Sequence, residues 1–278
     1  MWALRSAIAD VAVALPSFAP LPPDIASMVA LVKSARRDKR EPRKREKELT
    51  QEKIANTLQR YWRAQRKRIR AAVEDYTPIK SAYSDVFGKD SWLERDDVTL
   101  AELVKILTAA AKDGVALLNS KVELPIDWNL SNTEAEKWAQ EYAYDMIKGI
   151  DDTTRDALRD ALTQYVTTPG YTLKDFMDAL PYGEQRAYSV AVTETTRAYA
   201  EGQQAAGEQL KAEFPDVAVV KIWFTNADDL VCEICAPLDG EETEIDGVLI
   251  AGDGERYQYP PAHVNCRCWM ETTTRITE

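Results

Sequence analysis

Every cysteine of this 278-residue chain, Cys232, Cys235, Cys266 and Cys268, and its one histidine, His263, fall in the last fifty or so residues. They read Cys-x-x-Cys, a run of 24 residues, then Pro-Pro-Ala-His-Val-Asn-Cys-Arg-Cys. Five soft donors in two short clusters have the form of a tetrahedral zinc site, each cluster a tight turn. The competing readings are buried free thiols or a disulfide, and the spacing favours the metal. A Cys-x-x-Cys turn points both thiolates at one ion, and His263 follows the stiff Pro260-Pro261 pair. Cys266 and Cys268 are two apart and would share one side of an extended strand. The expected ligands are Cys232, Cys235 and His263 with one of Cys266 and Cys268; an all-cysteine site with His263 outside it is the alternative. Either set leaves no open position, so the zinc would be structural, tying together a segment with little core of its own.

Catalytic readings lack their residues. A metal-dependent nuclease of the His-Asn-His kind needs a histidine base besides its ligands, and the single histidine is already committed. The deaminase signature requires His-x-Glu and Pro-Cys-x-x-Cys, whereas Val264-Asn265 follows His263 and Val231 precedes Cys232. A Walker loop, a Gly-x-Gly-x-x-Gly run and a Gly-x-Ser-x-Gly elbow are all missing from the sequence. Acid pairs such as Asp228-Asp229 and Asp151-Asp152 fit turns and caps in so acidic a chain. A redox Cys-x-x-Cys would open a helix in a βαβ unit, which the pattern does not contain. No enzyme is expected.

The elements that position the clusters are mostly helical. Pro16 to Pro23 separates a short leading segment from the body. From Leu49, apolar residues at Ile54, Leu58, Trp62, Ile69, Val73 and Tyr76 predict a long amphipathic helix over 47–75, broken before Pro78. Leu103, Leu107, Ala110, Ala111, Val115 and Leu118 predict a second over 100–118. A third starts near Thr133, where Thr133-x-x-Glu136 has the capping-box form, and a fourth spans 151–165. A short fifth starts at Thr172 with Asp175. The sixth, 183–214, is the longest uninterrupted candidate and carries Arg186, Thr193, Glu194 and Arg197, with Glu194 and Arg197 expected as a modest i,i+3 pair if exposed. After Pro215 the β-branched and aromatic residues 217–224 predict a strand. Asp-Gly pairs at 239–240, 246–247 and 253–254 predict one or two hairpins between the clusters. The fold class is therefore mainly α, a helical body with a small C-terminal α+β module stapled by the Cys/His site. The segments are 1–46 (Pro-rich and basic), 47–215 (helical body) and 216–278 (zinc module).

The net charge of −11 argues against a general nucleic-acid binder. The charge is uneven: residues 33–70 hold 16 Lys and Arg against 5 Asp and Glu, so the rest of the chain carries about −22. Arg60, Arg63, Arg66, Lys67 and Arg70 are the candidate contacts to DNA or an acidic partner. The bland reading, a solvated face paired with the acidic remainder, is favoured because stacking aromatics are not interleaved along that face. Only Arg5 precedes the apolar first turns and Asp10 interrupts them, so they do not read as a signal peptide. No apolar run is long enough to span a bilayer. Four cysteines in a long acidic chain fit a reducing cytoplasm.

The stretch Asp229-Leu-Val-Cys-Glu-Ile-Cys-Ala-Pro-Leu-Asp-Gly240, followed by Pro260-Pro-Ala-His-Val-Asn-Cys-Arg-Cys268, resembles the carboxy-terminal signature of phage minor head proteins, the Mu F-like head morphogenesis family. Arg186-Ala187 and Val192-Thr-Glu-Thr-Thr-Arg-Ala-Tyr-Ala-Glu-Gly202 resemble the family's Arg-Ala…Ala-Arg-Thr-Glu-Thr segment, with Val192 where the family usually has arginine. The resemblance covers about 133–269. It implies a minor capsid protein of a tailed bacteriophage or prophage, made with the portal protein and associating with it. Action in head morphogenesis and in delivery of the packaged DNA is implied as well. The implied partners are the portal, major capsid or scaffold protein, and packaged DNA through 33–70, with no membrane. The implied location is the virion, in the head interior or at the portal vertex, after assembly in the host cytoplasm. Some relatives carry a fused toxin domain beyond this module; with Glu278 ten residues past Cys268, none is expected here. A zinc-supported nucleic-acid hydrolase and an injected effector are the alternatives.

Overall fold

The computed structural model describes residues 41–75, 83–93, 97–122, 126–226 and 228–276. The apolar first turns, the 16–23 break, most of the 1–46 segment and the breaks at Pro78 and Pro125 lie outside them.

Among the described residues six α-helices lead into a small sheet: α1 (Lys44–Glu74), α2 (Tyr83–Phe87), α3 (Asp97–Asn119), α4 (Asn129–Thr167), α5 (Leu173–Ala179) and α6 (Glu184–Glu213). The predicted stripe on α1 is the buried one. Ile54, Leu58, Tyr61 and Trp62 pack with Leu103, Leu107 and Ala110 of α3, Ala139, Ala143 and Met146 of α4, and Ala187, Ala191, Ala198 and Tyr199 of α6. A second cluster joins Ile69 and Val73 at the far end of α1 to Phe87, Trp92, Leu158, Leu162 and Phe176. Among the described residues no helix is long and apolar enough to cross a membrane.

One expectation is corrected. The third and fourth predicted helices are a single helix, α4. Thr133 does not cap it: its hydroxyl donates to the Asn129 carbonyl at 2.8 Å, and Asp127 Oδ1 accepts from the Asn129 amide at 3.0 Å, a turn earlier. Asp151 looks like a helix start in sequence, yet it sits mid-helix and buried. Its carboxylate accepts from Tyr61 OH at 2.9 and 3.0 Å and from Gln65 Nε2 at 2.9 Å. Tertiary partners on α1 thus supply what a cap position would have supplied. The Thr172–Asp175 capping box at α5 forms as predicted.

α6 is the central element and is buried on nearly every face. Its alanines and glycines allow this. A Cβ at Gly202 would lie 1.8 Å from the Ala111 carbonyl oxygen, and one at Gly114 of α3 would lie 2.3 Å from that of Tyr199. The two helices therefore cross with backbone against backbone, a distance only glycine permits.

The strands are β1 (Val217–Phe224), β2 (Glu242–Glu244), β3 (Leu249–Ile250), β4 (Arg256–Tyr257) and β5 (Trp269–Ile276). β1 is central and antiparallel to both β2 and β5, with register from Val217↔Ile276 to Phe224↔Trp269. β3 and β4 form the predicted hairpin around Gly254 (φ 83°). β5, which the sequence reading does not place, runs directly on from Cys268. The sheet uses α6 as its second layer. Gln203 Nε2 donates to the Met270 carbonyl at 3.1 Å, Gln204 Nε2 to that of Ile245 at 2.8 Å, and buried Lys221 Nζ to the same carbonyl at 2.6 Å. Burial holds the Lys221 ammonium down, to a pKa of about 8.

Gly202→Ala should cost about 3 kcal/mol of stability by forcing α3 and α6 apart. Gly149→Ala, on an exposed stretch of α4 where a Cβ meets nothing within 4 Å, should gain about 0.5–1 kcal/mol. Urea denaturation of the two variants measures both, and equal responses would refute the close-packing account.

Candidate metal centre

Four of the five donors are delivered by two turns of the same kind, and Cys268 follows the second at the start of β5. In the first, the Cys235 amide donates to the Cys232 carbonyl at 3.1 Å, and Ala236 N to the same oxygen at 2.9 Å. In the second, the Cys266 amide donates to the His263 carbonyl at 3.2 Å, with Asn265 in the left-handed region at φ 63°. Each turn sets a donor at its first position and another three residues on. The first is held from behind by Gly252 N, which donates to the Ile234 carbonyl at 3.0 Å. Thr225, just past β1, is fixed by Asp239 Oδ1, which accepts from both its amide and its hydroxyl at 3.0 Å.

The turns bring the side chains together. His263 Nε2 is 3.1 Å from Cys232 Sγ and 3.2 Å from Cys235 Sγ, and Cys235 Sγ is 3.8 Å from Cys266 Sγ. A tetrahedral zinc ion implies about 3.8 Å between two sulfurs and about 3.5 Å between sulfur and nitrogen. The spacing therefore fits one ion with little adjustment. Cys232, Cys235 and His263 form one group of donors and Cys235, Cys266 and Cys268 another, each within 4.8 Å, so Cys235 belongs to both. His263 Nδ1 donates to the Val264 carbonyl at 2.9 Å. That bond fixes the tautomer and leaves the Nε2 lone pair facing the sulfurs, as an outer partner of a metal-bound imidazole does.

All four thiols are free. Cys235, Cys266 and Cys268 are buried among Trp223, Leu238, Leu249 and Ala251, while Cys232 and His263 are half-buried at the mouth. The sulfurs crowd one another. Sharing a hydrogen bond with Cys266 pushes the Cys235 thiol well above its ordinary range, and the same bond holds Cys266 far below it. Such a set cannot ionise together without a cation among its members. The donor chemistry and the distances both fit zinc, with no vacant coordination position for a substrate.

α6 braces the second turn, which sequence reasoning did not anticipate. Thr193 Oγ1 accepts from the Asn265 amide at 2.7 Å, and Thr196 Oγ1 donates to the Cys266 carbonyl at 3.2 Å. Two threonines three apart on one helix, in a segment that also carries Glu194 and Arg197, were the available signal. Arg267, between the two distal cysteines, grips Asp228 with both guanidinium nitrogens at 2.6 and 2.8 Å.

Glu194 and Arg197 differ from expectation. Glu194 is buried and Arg197 half-buried: the carboxylate is 3.5 Å from Arg197 Nε, and the guanidinium lies 5.3 Å above the Tyr142 ring of α4. Burial pushes the Glu194 carboxyl up. Arg186 instead stacks over Trp62 at 5.1 Å and donates to the Pro181 carbonyl at 2.9 Å.

The basic residues of α1 lie far from this centre in kind. Arg60 pairs with Glu102, Arg66 with Asp178 at 3.4 Å and Arg70 with Glu74 at 2.8 Å. Arg63 and Lys67 point to solvent. Internal pairing thus occupies three of the five candidate contacts.

Residues 152–271 match the family model described as Phage Mu protein F like protein. The span starts inside α4, runs through α5 and α6, covers both turns and ends in β5, a narrower range than the sequence resemblance suggested at its amino end. No curated protein and no solved structure matches the chain.

Thr193→Val should destabilise the protein by about 1 kcal/mol, because the Asn265 amide loses its acceptor in a part-buried bond, and Thr193→Ser should restore most of it. Hydrogen exchange checks the cause: the Asn265 amide should exchange faster in the valine variant while amides in α3 stay protected.

Proposed function

With residues 152–271 a Mu F-like segment, we propose that this chain is a structural minor head protein of a tailed phage or prophage, built into the virion beside the portal. The observation that supports this most is that the matched segment is one physical unit. α6, the two donor turns and β5 hold one another through Thr193, Thr196, Gln203 and Gln204. Nothing in that unit is arranged for turnover: the donor set is closed and its one histidine is turned toward sulfur. This unit, which joins α6 of the proposed helical body 47–215 to the proposed zinc module 216–278, is a rigid docking element whose geometry depends on a metal.

The metal is a structural zinc held by Cys232, Cys235, His263 and Cys266. The choice of Cys266 follows from the two matching turns, each providing donors three residues apart. Cys268 lies at the threshold of β5, where the strand direction fixes it against the core beside Trp223, and it remains a thiol. Thiolates and neutral imidazole are the binding forms, so protons compete with the ion and affinity falls as pH falls. Arg63 and Lys67, the two of the five candidate residues without an ion pair among the described residues, are the contacts for an acidic portal surface or packaged DNA. Contacts to DNA would weaken steeply with salt.

Two measurements test this. Quantitative mass spectrometry of purified, nuclease-treated particles should find the chain at a low fixed ratio to portal; abundance in infected cells with none in particles would overturn the head-protein reading in favour of an assembly factor or an injected or hydrolytic activity. Elemental analysis of the purified protein should find one zinc per chain in the wild type and in Cys268→Ser. Cys232→Ser and Cys266→Ser should each lose it. Retention in Cys266→Ser with loss in Cys268→Ser would reverse the assignment of the fourth ligand.

A further inference from the structure

On the side of α6 turned away from α1, a groove of about 530 Å³ lies between α4 and α6, closed at one end by Gln258 and Tyr259. Its floor is apolar and shallow-sided: Ala135, Trp138, Ala205 and Ala212, with Leu130 at one end left 58% exposed. Its rim carries Glu134, Glu141, Glu201 and Glu208 against a single base, Lys137. None of the four glutamates has an ion-pair partner among the described residues; Glu201 is held by Tyr259 OH and Glu208 accepts from Gln204 Nε2 at 2.7 Å. Other surface acids are paired, as in Arg60–Glu102, Lys112–Glu136 and Lys211–Asp246, whereas this trough sets four carboxylates against one ammonium group.

We propose that the α4–α6 groove receives a lysine- or arginine-bearing amphipathic helix from another protein of the particle. α4 and α6 run antiparallel here, Ser131 lying against Gln209 and Arg186 reaching Ile150. Two such helices leave a furrow that a third can fill, its apolar residues against Leu130 and Trp138. The four rim carboxylates select cationic flanks and repel the phosphates of nucleic acid. Glu41 lines a hollow with Tyr188, Val192 and Thr196. Val192 and Glu201 are nine residues apart on α6, half a turn out of phase, so Glu41 and the groove lie on opposite sides of the helix.

The proposal uses the head-protein reading only to say where the partner is found. The test is photo-crosslinking of the full chain with Leu130→p-benzoylphenylalanine, irradiated in assembled particles and read by mass spectrometry of the linked peptide. The expected adduct is a helical segment of a different protein with several Lys or Arg residues. Glu134→Lys/Glu141→Lys/Glu208→Lys, all at exposed positions, should cut its yield at least about tenfold while circular dichroism stays unchanged. An adduct to DNA, to this chain's own sequence or to an acidic segment, or no adduct at all, would overturn the proposal. Mass spectrometry of the same particles first establishes that the chain is present; if it is not, the irradiation is done in infected cells, so the two readings fail separately.

Discussion

The contact on which the structure depends is the backbone-to-backbone crossing of α3 and α6 at Gly114 and Gly202. A helix enclosed by α1, α3, α4 and a sheet cannot carry large side chains on every face, and α6 does not. Its buried surface is mostly alanine, glycine, threonine and glutamine, with Val192, Glu194, Tyr199 and Leu210 as the exceptions. Small residues bring the neighbours close, and the polar ones then find partners at short range. Gln203 and Gln204 reach strand-edge carbonyls, Gln209 reaches Ser131 and the Asp127 carbonyl, and the two threonines reach the second donor turn. Substituting bulk for any of the small residues would move every layer at once.

The donor centre follows from that crowding. Thr193 and Thr196 can hold the His263–Cys266 turn only because the turn lies directly on α6, with no side-chain layer between. One turn is thereby fixed to the body and the other to the sheet. An ion bound between them joins two structural layers that the fold has already brought within 4 Å. This is a larger role than closing a small isolated finger, where the ion supplies most of the order.

Much of this was legible in the sequence, and the misses share a cause. α1, α3 and α6 each bury an apolar or small-residue stripe at helical spacing, and their bounds fall within a few residues of the prediction. Six of the eight residues of β1 are β-branched or aromatic, and the two donor turns announce themselves by residue type. What could not be read depends on partners distant in sequence. Asp151 looks like a cap until Tyr61 and Gln65, some ninety residues earlier, are seen to bond it. Glu194–Arg197 looks like surface charge until Tyr142 covers it. β5 is threonine-rich and short, and it is a strand because β1 offers it an edge.

That last pairing has a consequence for how the chain is made. β1 and α6 are synthesised well before β5, and until β5 leaves the ribosome one edge of β1 and the Gln203 side of α6 lack their partners. Unpaired strand edges invite pairing with other chains. The donor turns lie between, so an ion captured by Cys232 and Cys235 would wait for His263 and Cys266 to arrive, and their arrival delivers β5 to its edge. Binding of an ion by these turns would in this sense make its capture and sheet closure one event, timed by translation.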